Sequence, residues 1–153
     1  MTAMQIMERC RTAEADRRAI KNRAARYRES ATRITSVLGG VGSRSTSEPD
    51  KLAALMSELD ELDRALNERE REYAAELSAA TRLLDMLPEI ESQVLDAFYL
   101  KAQALTAIAR SMSYSYGYIR TVKATACAHL EVLPEALVSS LLPAWYRERS
   151  PGR

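Results

Sequence analysis

Apolar or small residues recur along the first part of the chain in alternating steps of three and four: Ile6, Cys10, Ala13, Ile20, Ala24, Tyr27, Ala31, Ile34 and Leu38, with a break at Arg17. This spacing predicts one long helix carrying a heptad seam. Gly39-Gly40 ends it, and the Gly-, Ser- and Pro-containing stretch 39–50 predicts a flexible loop. A second seam runs through Leu52, Leu55, Leu59, Leu62 and Leu66, is interrupted at Arg69, and resumes at Tyr73, Leu77, Ala80, Leu84 and Leu87. Asp50 or Ser47 can cap this helix, and Pro49 suits its first turn. Two long helices joined by one loop predict an antiparallel, coiled-coil-like hairpin over residues 1–87.

At Pro88 the heptad gives way to a globular pattern. Ile90, Val94, Leu95, Phe98 and Tyr99 form a broad apolar face, which predicts a support helix. Leu105, Ile108, Ala109 and Met112 predict a short helix, and Ile119, Val122, Ala126 and Leu130 the inner face of another. Ser115 stands where an N-cap is wanted, so the latter should begin at Tyr116 with its free N–H groups outward. Two short helices meeting at a tight turn within 88–130 is the arrangement of a helix-turn-helix. Of the alternating Tyr114, Tyr116 and Tyr118, the first is expected to close the core. Residues 131–153 predict one short helix, through Ala136, Leu137, Val138, Leu141 and Leu142, and then a fraying tail. The fold class is therefore all-α, which scarce Gly and Pro in 153 residues support.

Charge sharpens this picture. The net charge of +1 gives no global attraction to a polyanion, but the distribution is uneven. Residues 1–33 hold nine basic and four acidic groups, 48–91 hold five basic and thirteen acidic, and 97–130 hold four basic and no acidic ones. The basic groups of the first helix and the acidic groups of 58–76 are expected to be solvated faces that attract each other across the seam. The acid-free stretch is the one segment tolerable to phosphate. Its candidate DNA contacts are Ser115, Tyr116, Gly117, Tyr118, Arg120, Thr121, Lys123 and Ala124, with Arg110 on the preceding helix. Arg120 and Lys123 lead that set, because they can reach both phosphates and base edges. Gly117 in the first turn is a departure that costs about 1 kcal/mol relative to Ala.

No nucleophile with a base, and no carboxylate pair with metal-ligand spacing, converges anywhere, so neither an enzyme nor a cofactor is expected. Cys10 and Cys127 read as separate reduced thiols, and His129 as a partner for a helix C-terminus. No apolar run approaches a membrane span and the N-terminus lacks a signal pattern, so a cytoplasmic, nucleoid-associated protein is expected.

Residues 88–130 resemble region 4 of sigma-70 factors: Leu87-Pro88 opens the segment, Phe98-Tyr99-Leu100 ends its first helix, Ile108-Ala109 lies in the next, and Ser115 precedes the recognition helix. More specifically, Tyr114-Ser115, Ile119, Lys123, Ala126 and Leu130 are similar to phage regulators of the RinA and ArpU type, which carry this region behind a helical hairpin. Ile34-Thr35, Gly39-Gly40-Val41-Gly42-Ser43 and Asp50-Lys51 extend the likeness over roughly residues 20–130. The resemblance implies activation of phage or prophage late genes on double-stranded promoter DNA, alongside host RNA polymerase. Four positive charges are too few for affinity by electrostatics alone, so a homodimer or polymerase is the expected helper. A small-terminase-like DNA-packaging subunit and a non-DNA-binding helical adaptor are the alternatives.

Overall fold

In the computed structural model, which describes residues 1–38 and 47–149, all regular structure is helical. The long helices are α1 (Ala3–Leu38) and α2 (Ser47–Leu84). Of the expected loop 39–50, residues 47–50 belong to α2 and 39–46 lie outside the described residues. Shorter helices follow: α3 (Glu89–Leu95), which runs into a π-helical turn over Asp96–Leu100, then α4 (Leu105–Met112), α5 (Tyr116–Glu131), α6 (Glu135–Ser140) and α7 (Ala144–Arg149). No helix among the described residues is long and apolar enough to cross a membrane.

Packing divides the chain into two compact units, Met1–Glu14 with Arg71–Arg153, and Ala15–Glu70. The division falls inside both long helices. In the unit Ala15–Glu70, the helices run antiparallel, as shown by the ion pairs Lys21–Glu70 at 3.6 Å and Arg28–Asp63 at 2.7 Å. Ala24, Ala31 and Leu59 are buried on the seam, while Ile20, Tyr27, Leu55, Leu62 and Leu66 are only partly covered. Arg17 and Arg69, the two breaks in the heptads, sit across from each other. Arg17 meets Glu70 at 3.5 Å and Arg69 meets Asp16 at 3.8 Å, so the irregularities of the two sequences are matched.

The other unit holds the larger core. Ile6, Met7 and Cys10 of α1 and Ala79, Ala80, Leu83 and Leu84 of α2 pack with Leu95, Tyr99, Ala126, Leu130, Val138, Leu142 and Tyr146. Each of the larger aliphatic side chains contributes about 1.5–3 kcal/mol by burial. Two expectations are corrected here. Residues 144–149 do not fray: α7 is helical and Tyr146 is buried in the core. Nor is the whole of 58–76 a solvated acidic face, because Glu76 is 0% exposed. Its carboxylate accepts hydrogen bonds from Arg9 Nε at 2.5 Å and from the Tyr146 hydroxyl at 2.5 Å. The seam pattern places position 76 outside the apolar stripe of α2, and it is the return of the C-terminal helices that covers it. Arg71 adds a contact to these helices, its guanidinium lying 4.0 Å from the Trp145 ring centre.

Candidate nucleic-acid interface

The segment 88–131 is built on a second apolar cluster of Val94, Ile108, Ala109, Ile119 and Val122, with Ile90, Leu105 and Met112 packed around it. Pro88, at φ −55° and ψ 148°, starts α3 without a side-chain cap, and Glu89 and Glu91 occupy its first turn, where acidic groups favour the helix dipole. Glu91 is buried and meets Nδ1 of His129 at 2.7 Å, a partner for His129 that spacing alone had not indicated. The π-helical turn ends through Ala102, whose φ of 51° reverses the chain toward α4.

Local chemistry fixes the turn between α4 and α5. Ser113 takes the left-handed conformation at φ 58°. Its N–H donates to the Arg110 carbonyl at 3.3 Å, and the Tyr114 N–H to the Ala109 carbonyl at 3.0 Å. This is a Schellman closure with Ser where Gly is usual. Ser115 then caps α5, its hydroxyl accepting from the Tyr118 N–H at 3.2 Å, and α5 begins at Tyr116. Ile119, Val122, Ala126 and Leu130 are all buried, so the opposite face of α5 is turned outward.

That face carries most of the expected contact residues. Ser115, Tyr116, Gly117, Tyr118, Arg120, Thr121 and Ala124 are all exposed, as is Arg110 at the end of α4. Gly117 fills no structural need, since a Cβ there would meet nothing within 4 Å. The Thr121 hydroxyl is engaged by its own helix, donating to the Gly117 carbonyl at 3.0 Å. Tyr114 does not close the core: it is 47% exposed, beside Tyr116 at 49% and Tyr118 at 44%. The left-handed turn at Ser113 carries it past the end of α4, where its ring lies 4.8 Å from that of Tyr118. Met112 and Leu105 supply the apolar cover instead.

The four basic groups of the acid-free stretch are not equivalent. Lys101 pairs with Asp96 at 2.8 Å. Lys123 is partly buried, its ammonium 4.5 Å from the centre of the Phe98 ring and 5.5 Å from that of Tyr99. Phe98 also receives Arg11, whose guanidinium lies 3.8 Å from the ring centre and donates to the Phe98 carbonyl. Arg110 and Arg120 are the exposed cations of this stretch that make no ion pair among the described residues. The position of Lys123, four residues after buried Ile119 and next to Val122, is the sequence signal for its inward lean.

No group of three or more His, Cys, Asp and Glu side chains that could hold a metal ion occurs among the described residues. Cys10 is buried and Cys127 partly buried, neither is in a disulfide, and Cys127 Sγ lies 3.8 Å from the Tyr99 hydroxyl. No family model matches the chain, nor does any curated protein or solved structure.

Proposed function

We propose that this chain is a phage or prophage transcription regulator, an activator of late genes that holds promoter DNA on the outward face of α5 together with RNA polymerase. The observation that carries the reading is the composition of that face together with the end of α4 and the turn between them: a side-chain-capped helix start, three exposed tyrosines, Arg110 and Arg120 without an ion pair among the described residues, and no carboxylate between 97 and 130. Such a surface meets phosphates with N–H groups and guanidinium while leaving hydroxyls and small residues for base edges. The likeness of Leu87-Pro88, Ile108-Ala109 and Ser115 to sigma region 4 supports the involvement of polymerase. In this reading Arg120 is the leading contact, and Lys123 works from behind, holding α5 against Phe98.

The reading is tested by titrating the full chain with a pool of duplex DNA across a salt series. Arg120→Ala should weaken binding and reduce the slope of log K against log salt by about one unit. Lys123→Ala should lower stability by about 0.5–2 kcal/mol through the lost cation–π contact, with a smaller change in slope. An unchanged slope in Arg120→Ala removes that residue from the interface. Absence of all DNA binding at low salt, with a polymerase subunit still captured, supports the adaptor alternative instead.

A further inference from the structure

We infer that the two-helix unit Ala15–Glu70 is a dimerisation surface whose occupant is the same unit of a second copy, with α1 of each chain laid over α2 of the other. This stands apart from the DNA reading and rests on charge and coverage within that unit.

Residues 15–38 carry seven basic and two acidic side chains, whereas 47–70 carry three basic and eight acidic. The unit is therefore a ribbon with one basic and one acidic helix. One flank of the seam is closed by intrachain ion pairs, Lys21–Glu70 and Arg28–Asp63. The other flank is open: Arg23, Arg26, Tyr27, Ser30 and Leu55 line a groove there. Helical spacing puts Glu58 and Glu61 on the same side as Leu55. Arg26, Glu58 and Glu61 are exposed and form no ion pair among the described residues. Tyr27 and Leu55 remain partly uncovered between these charged rows.

Two such ribbons facing each other can be related by a two-fold axis in only two simple ways. An axis across the helices sets basic α1 on basic α1. An axis along them sets each basic α1 antiparallel to the acidic α2 of the other copy, which brings Arg23 and Arg26 toward the acidic row and covers Tyr27 and Leu55 on both chains. The product is a four-helix bundle in which all neighbours are antiparallel, with a self-complementary interface. Charge thus selects the axis, and apolar burial supplies the affinity.

The test is the mass of the full chain by sedimentation equilibrium over a concentration series. The wild type should be dimeric. Arg23→Glu/Arg26→Glu and Glu58→Lys/Glu61→Lys should each dissociate about tenfold or more readily, because each sets like charge on like. An equimolar mixture of the two should recover the dimer, since each then offers the other both complementary rows. The quadruple variant, which exchanges the rows within one chain, keeps the intrachain charge balance. It should dimerise with itself, and it serves as the reference if either double variant loses helical content by circular dichroism. A monomeric wild type, or a dimer whose mass is indifferent to all these changes, overturns the inference. Duplex binding measured on the same variants keeps the two questions separate, because a monomer that still binds DNA removes the dimer and leaves the DNA reading standing.

Discussion

At the scale of single residues, the turn between α4 and α5 depends on two serines with different tasks. Ser113 tolerates a left-handed backbone, and Ser115 supplies an oxygen to the Tyr118 N–H. Ser115→Ala should cost about 0.5–2 kcal/mol, the usual value of a side-chain N-cap. Ser115→Asp keeps the acceptor and should fold with stability close to wild type by urea titration. If this end of α5 meets phosphates, as proposed, a carboxylate there should nonetheless weaken duplex binding by tenfold or more. Equal binding by Ser115→Asp and wild type would place the phosphates elsewhere. The N-cap role of Ser115 was legible because its oxygen acts on a neighbour three residues away. Tyr114 was misread because its fate depends on the φ of Ser113, and Ser is not a residue whose identity announces a left-handed turn.

At the scale of elements, periodicity carried the reading wherever one apolar stripe decides a helix. The inner face of α5 and the apolar positions of α4 follow from spacing alone, as do the positions of Arg17 and Arg69 as seam breaks. Spacing could not show that these two arginines lie at one level with carboxylates beside them, since register between helices is set by both partners. The same limit hid the pairing of Glu91 with His129 of another helix. Within α5 the sharpest test is Gly117, because its Cβ would meet nothing in the chain. Gly117→Ala should stabilise the protein by up to about 1 kcal/mol, seen as a higher urea midpoint at unchanged m-value. If the glycine is there to let a nucleic-acid backbone approach, the same variant should bind duplex several-fold more weakly. Higher stability with unaltered binding would contradict that role.

At the scale of the whole molecule, the network of half-exposed Arg9 with buried Glu76 and Tyr146 shows what charge counting could not. Glu76 belongs to a segment dominated by carboxylates, yet its surroundings are set by residues seventy positions later. Burial, and then the hydrogen bond to Glu76, holds the Tyr146 phenol well above its ordinary value of 10. A phenol bound more tightly to its proton in the folded state contributes stability below about pH 10, which is lost as pH rises beyond the titration of the unfolded phenol. Alkaline unfolding should therefore begin above about pH 10, and Tyr146→Phe should flatten that fall while lowering stability at neutral pH by about 1–3 kcal/mol. Tyr99 is raised in the same direction by burial and by its contact with Cys127, so part of the alkaline fall should persist in the variant.

The central claim of the proposed reading is that DNA meets two guanidinium groups that make no ion pair among the described residues, Arg110 at the end of α4 and Arg120 on α5, rather than a broad basic patch. It is tested most directly by the salt dependence of duplex binding for the full chain and for Arg120→Ala. The wild type should bind with an affinity that falls linearly on a log–log plot, and the variant should bind more weakly with a slope shallower by about one unit. Parallel lines for the two proteins, or no binding by the wild type at low salt, would contradict it.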